Sequence, residues 1–115
     1  MDEKPLVWVA SSFRDLTNDQ IFSLEARKVA GKQLRNVQRG VEPDDWKPFE
    51  TIGAGTKEIR LKLPDGAFRV MYVAKFPEAV YVLHCFKKQS EKTSPHDKDL
   101  AKQRYKAVIQ ERNKR

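Results

Sequence analysis

Two apolar-patterned runs, EIRLKL and AFRVMY, meet at Pro64-Asp65-Gly66, and their charged positions are Arg60, Lys62 and Arg69 with Glu58 as the lone acid. A third run ends in Lys87-Lys88. Such a cluster repels itself unless an anion sits in it. Arginine offers paired N–H donors to a phosphate, and lysine a compact charge. Neighbouring cations also depress a lysine's pKa, because each charge disfavours the next, and this turns a lysine into a usable proton acceptor. The chemistry these residue types suit is the holding, and the proton transfer, of a phosphate-bearing ligand.

Alternation along extended chain decides whether they meet. Ile59, Leu61 and Leu63 share one side, and Glu58, Arg60 and Lys62 the other. In the next run Phe68, Val70 and Tyr72 stand opposite Arg69, Met71 and Val73. Phe86 fits the core side, which puts Lys87 on the open face, with Lys88 where the strand ends. Arg60, Lys62, Arg69, Lys87 and Lys88 are thus predicted on one surface. A merely solvated sheet face would interleave acidic partners across the strands. Glu58 alone cannot neutralise five cations.

The positioning elements follow from period and punctuation. Pro5–Ala10 (PLVWVA) is short, apolar and rich in β-branched and aromatic residues, so it reads as a strand. A helical region runs from about Ser12 to Arg39, broken near Thr17, with Asn18 as a second N-cap and Gly40 as its stop. Residues 41–56 hold Pro43, Pro48, Gly53 and Gly55 and read as a connecting loop, pinned by Trp46 and Phe49. Gly53-Ala54-Gly55 precedes a strand, so it is a mobile loop and not a dinucleotide fingerprint. Lys57–Leu63, Ala67–Phe76 and Ala79–Lys87 form an antiparallel meander. Ser94, Pro95 and Asp97 open a last helix with Leu100, Ala101, Tyr105, Val108 and Ile109 on its apolar side. The order β-α(α)-β-β-β-α is an α+β domain with its helices packed on one face of the meander.

At 115 residues the chain has room for one domain, 1–115. Its net charge of +7 is unevenly spread. Residues 1–56 hold eight Lys/Arg against nine Asp/Glu, and residues 57–115 hold fifteen against seven. An excess of that sign points to a polyanion, above all nucleic acid. The single cysteine, Cys85, excludes an internal disulfide and suits a reducing cytoplasm. No apolar stretch approaches the ~20 residues of a membrane span. No basic start leads into an apolar leader.

The blocks Glu58-x-Arg60, Phe68-Arg69-Val70 and the lysine-rich run ending in Lys92-Thr93, followed by Ala101–Arg104 in a helix, resemble the RelE/HigB-type toxins, and more closely their phage-derived subgroup. The resemblance covers roughly residues 46–110 and has three blocks in order. It implies a small RelE-like, microbial-ribonuclease-type fold. It also implies a ribosome-dependent mRNA endoribonuclease in which the 2′-hydroxyl attacks the adjacent phosphate without a metal. By position it makes Lys62 the base, Arg60 a phosphate holder and Arg69 the transition-state arginine. Lys87 or Lys88 becomes the acid or a second phosphate clamp. His96 falls where relatives place a Tyr or His, and it reads equally as an exposed first-turn residue. Lys57 is an expected RNA-phosphate contact, and Lys98, Lys102 and Arg104 read either as a solvated helix face or as contacts to ribosomal RNA phosphates. The implied partners are the ribosome, mRNA and a small antitoxin, itself a helix-turn-helix protein.

No cofactor or metal is expected, since two histidines and one cysteine lack ligand spacing. His84 reads as a satisfied core or edge histidine, and Cys85, Tyr105, Trp8 and Trp46 as packing residues. The rival reading is a non-catalytic RNA- or protein-binding module, which needs the basic face but no matched acid and base.

Overall fold

The computed structural model describes residues 3–115. Its elements run β1 (Leu6–Trp8), α1 (Ser12–Leu16), α2 (Leu24–Gln38), β2 (Trp46–Pro48), β3 (Thr56–Leu63), β4 (Gly66–Val73), β5 (Val80–Lys88) and α3 (Pro95–Asn113). They build one five-stranded sheet in the order β1-β5-β4-β3-β2. β1 pairs parallel to β5, and the remaining pairs are antiparallel. The expected meander, the broken helical region and the last helix are all present. Among the described residues no helix is long and apolar enough to cross a membrane.

Three features differ from the expectation. The stretch read as a loop contributes the short edge strand β2, whose Pro48 falls at its last position, where a missing N–H costs least. Helix α2 starts from Ser23, not Asn18. The Ser23 hydroxyl accepts from the Ala26 N–H at 3.1 Å, and Asn18 instead anchors the preceding turn by accepting from the Gln20 N–H at 2.9 Å. Most consequentially, the helices cover both faces of the sheet rather than one.

The reason is the composition of the central strands. Val70–Val73 and Val80–Cys85 are buried at each position, and strands apolar on both sides demand cover on both. On one face Phe22, Ala26, Ala30, Leu34 and Val37 of the α2 region pack on Ile59, Leu61, Phe68, Val70 and Tyr72. Phe22 and Phe68 pack with their rings tilted by 40° and centroids 5.0 Å apart. On the other, Ala101 and Val108 of α3 pack on Met71, Val73, Leu83 and Phe86. Helix α3 lies along β5, so the part of this face carrying Arg60, Lys62 and Lys88 still meets solvent.

The start of α3 is fixed as the sequence predicts. The Ser94 hydroxyl accepts from the Asp97 N–H at 3.1 Å and donates to the Asp97 carboxylate at 2.7 Å. The Gly53–Gly55 loop is held, not free. The Tyr105 hydroxyl donates to the Ala54 carbonyl at 2.7 Å, and the Tyr105 ring lies flat against the missing side chain of Gly53. A Cβ on Gly53 would clash with Cδ1, Cδ2 and Cε1 of that ring. Gly53→Ala is expected to lower stability by about 1–3 kcal/mol through overpacking. Chemical denaturation checks this, and an unchanged midpoint would show that the loop and α3 are not packed together.

Candidate nucleic-acid interface

Cross-strand register builds the site row by row. Arg60, Arg69 and Phe86 stand opposite one another across β3, β4 and β5. The next row is Lys62, Ala67 and Lys88, and the row on the other side is Glu58, Met71 and His84. Lys47 of β2 pairs with Glu58. Directly opposed residues share a face. The face that carries α3 therefore also carries Lys47, Arg60, Lys62, Arg69 and Lys88. Arg69 and Lys88 border a shallow hollow of about 400 Å³ together with Ala67, Ser90 and Glu91.

Lys87 is not part of it, contrary to the expectation from alternation. It pairs with Phe68 on the α2 side, and its ammonium lies 5.6 Å from the centre of the Phe68 ring. The cause is a β-bulge. Tyr72 pairs with Val82 but Met71 pairs with His84, so Leu83 is an extra residue. One inserted residue reverses the alternation downstream. Phe86 and Lys88 thereby turn to the Arg69 side, and Cys85 and Lys87 turn away.

Electrostatically the surface holds five cations, with Asp45 and Glu58 paired among them and Glu91 at the rim of the hollow. Arg60 pairs with Asp45 through Nε at 2.9 Å and Nη2 at 2.8 Å. Glu58 is fully buried, with Lys47 Nζ at 3.7 Å and Arg69 Nε at 3.5 Å. Neither of its oxygens has a hydrogen-bond partner among the described residues. Burial pushes the Glu58 carboxyl above its ordinary pKa, against the pull of Lys47, Arg69, Lys88 and Arg60. Arg69 is 6% exposed and donates to the Phe68 carbonyl at 3.0 Å. Burial lowers its pKa, opposed by Glu58. Burial and then the Arg69 charge lower that of Lys88. Lys62 is exposed, with no carboxylate within 4 Å among the described residues. Lys47 and Asp45 are not among the residues the sequence singles out, because the Pro- and Gly-punctuated stretch 41–56 reads as a loop. Their only signal was the alternation of Trp46-Lys47-Pro48.

The other expected residues lie elsewhere. His96 is exposed on the first turn of α3 and borders a separate cavity of about 430 Å³ at the edge of β5, shared with Lys87, His84, Asp97 and Arg104. Lys57 faces the α2 side, 3.0 Å from Glu42 and 4.4 Å from the centre of the Trp46 ring. Lys98 and Lys102 are on α3, and Lys102 is exposed. Arg104 turns inward. It donates to the Leu83 carbonyl at 3.0 Å and the Ser11 hydroxyl at 2.9 Å, and lies 3.3 Å from His84 Nδ1. It ties α3 to β5 and does not present a free cation.

His84 is the satisfied buried histidine expected. With Arg104 donating to Nδ1, Nε2 carries the proton and donates to Asp97 at 2.7 Å. Burial lowers its pKa, which holds the ring neutral, while Asp97 acts in the opposite sense. Burial raises the Cys85 thiol far from any nucleophilic range.

Residues 20–106 match the model of the phage-derived Gp49-like protein family (DUF891). The chain belongs to this family. The Gp49-like family is one of RelE/HigB-like toxins, the class the sequence blocks resemble, and such toxins generally have an antitoxin partner. No curated protein matches the chain. The Gp49-like segment contains Lys47, Glu58, Arg60, Lys62, Arg69 and Lys88, and it stops short of the end of α3.

Buried Glu58 generates a pH prediction. A carboxyl whose folded pKa lies above its unfolded value contributes stability at low pH and loses it as pH rises through the folded value. Glu58→Gln removes that loss. The stability of Glu58→Gln relative to wild type should therefore rise from pH 4 to pH 8. Urea denaturation across the range measures it, and a difference that is flat or falls with pH would mean that Glu58 is not desolvated.

Proposed function

We propose that the chain is the toxin of a type II toxin–antitoxin pair and an endoribonuclease that cuts mRNA on the ribosome. The observation that carries this reading is the convergence of Arg60, Lys62, Arg69 and Lys88 on one uncovered face in a RelE/HigB-like family member. Cutting RNA without a metal requires a base at the 2′-oxygen, cations on the non-bridging oxygens and an acid at the leaving group.

Lys88 fits the base better than Lys62, since burial and Arg69 already disfavour its protonated form. It takes the 2′-hydroxyl proton as the 2′-oxygen bonds to phosphorus. Arg69 and Arg60 bind the non-bridging oxygens, where charge builds up. Lys62 gives a proton to the 5′-oxygen as its bond to phosphorus breaks. The products are a 2′,3′-cyclic phosphate and a 5′-hydroxyl. Glu58 is too deeply buried to touch substrate, and instead it orients Arg69. Lys87 and His96 border another cavity and have no part in this scheme. Ribosome and mRNA are the partners in this reading, the site of action is the cytoplasm, and an antitoxin masks the basic face.

One feature favours a second reading, a binding module without scission. Arg60 already has Asp45 and Arg69 has Glu58, which reduces the charge left for a transition state.

Controlled expression separates the two. Scission predicts growth arrest and mRNA fragments with 5′-hydroxyl ends. Arg69→Ala should reduce cleavage by about 10²–10³-fold, the usual loss for one transition-state donor. Lys88→Met removes an ammonium with no hydrogen bond among the described residues, so it should abolish cleavage and leave the melting temperature unchanged. The wild-type rate should rise with pH along a limb below the ordinary lysine range, because Lys88 must lose its proton to act. Normal growth with intact mRNA would leave the binding module.

A further inference from the structure

Helix α2 carries a second basic surface, on the far side of the sheet from Arg69 and Lys88. The stretch RKVAGKQLRNVQR, residues 27–39, holds five cations and no acid. Its buried stripe is Ala30, Gln33, Leu34 and Val37. Lys28, Gly31, Lys32 and Arg35 are exposed on the opposite side. Arg27 is tied to Asp19 at 2.6 Å and Arg39 to Glu3 at 2.8 Å. Lys28, Lys32 and Arg35 have no carboxylate within 4 Å among the described residues.

The spacing i, i+4, i+7 stacks these three cations in one ridge, with neighbours about 5–6 Å apart. Like charges so placed weaken a helix by a few tenths of a kcal/mol per pair. The helix dipole compensates cations only in the last turn, which covers Arg35 but not Lys28 or Lys32. Gly31 adds a further cost of about 0.5–1 kcal/mol relative to Ala in a helix interior. No packing explains it, for a Cβ built there meets nothing within 4 Å. Gly31 floors a shallow furrow of about 490 Å³ walled by Lys28, Lys32 and Arg35. A bare backbone floor between cationic walls suits a ligand that is anionic and must come close.

We propose that the outer face of α2 docks the sugar–phosphate backbone of double-helical RNA, with Lys28, Lys32 and Arg35 on phosphates and Gly31 at the point of nearest approach. A duplex fits better than a single strand. The furrow has no aromatic side chain to stack an unpaired base, whereas duplex RNA is read through its shape and backbone. RNA fits better than an acidic protein segment, because the ridge offers no apolar anchor at its centre. The surface is independent of the scission chemistry and stands or falls separately from it.

The test is binding of the purified full chain to a blunt RNA hairpin of about 16 base pairs, and to a single strand of the same composition, across a salt series. The triple variant Lys28→Glu, Lys32→Glu, Arg35→Glu should lose at least about tenfold in duplex affinity, and its log–log salt slope should fall by about 2–3, roughly one per lost phosphate contact. Lys106→Met, an exposed cation on α3 with no part in either basic surface, should keep the duplex slope. Gly31→Gln should raise the melting temperature and still weaken duplex binding, a pairing that no folding defect produces. The proposal is overturned if the triple variant binds duplex as wild type does, or if duplex and single strand weaken equally. Displacement of the duplex by an acidic peptide of equal charge at equal concentration would also overturn it, in favour of a protein partner.

Discussion

Between Val82 and His84 the chain inserts Leu83, a residue that β4 does not match. Upstream of it, Val80 and Val82 face α2, and downstream Cys85 does. Without the insertion Phe86 and Lys88 would point into the α2 core, and Lys87 would replace Lys88 beside Arg69. A lysine lies on the α2 side in either phase, here Lys87, and what the bulge changes is that Cys85 and not the polar His84 enters the α2 core, so it is fixed by the apolar match on both faces at once. The same insertion leaves the Leu83 carbonyl to receive Arg104, and places His84 where it reaches Asp97. Sheet phase, the docking of α3 and the composition of the cationic face thus share one cause.

Glu58 is the second constraint on that face. A buried carboxylate without hydrogen bonds is costly. Here it stands between Lys47 and Arg69, whose own burial is equally unfavourable without it. At 3.5 Å the Arg69 guanidinium is drawn toward Glu58 without being locked to it by a hydrogen bond, and among the described residues the fold takes one of its donors, for the Phe68 carbonyl, against three contacts made by Arg104. Lys88, at the rim, is affected by the excess that remains. Burial and the Arg69 charge lower its pKa, and Glu58 recovers only part of this. One carboxylate deep in the sheet therefore makes a buried arginine tolerable and still leaves the Lys88 pKa below its ordinary value.

The sequence made the meander, the helical region and the α3 cap legible, because each rests on local signals. Alternation in residues 57–73, the apolar spacing from Phe22 to Val37 and the Ser94–Asp97 cap all act within a few residues. It also placed Arg60, Lys62 and Arg69 on one side correctly, since no irregularity interrupts β3 or the start of β4. What it missed depended on tertiary pairing. Lys87 was placed wrongly because a bulge has no signature in the residues that flank it. The one-face helix layout failed because Val70–Val73 and Val80–Cys85 read as apolar without saying which element covers the second side. Arg104 looked like one more cation on a solvated helix until its partners, Leu83, His84 and Ser11, came from three other places in the chain.

Charge averages misled in a similar way. The first half of the chain sums to nearly nothing, which hides a segment with five cations and no acid. Of those five only Arg27 and Arg39 have acid partners among the described residues, Asp19 and Glu3. Asp45 holds Arg60 and Glu42 holds Lys57, so acids counted against α2 serve β3 instead. What a polyanion meets on approach is the local arrangement, Lys28, Lys32 and Arg35 around a bare Gly31, and that arrangement exists only because Ala30, Leu34 and Val37 turn the helix so that its apolar stripe lies on the sheet.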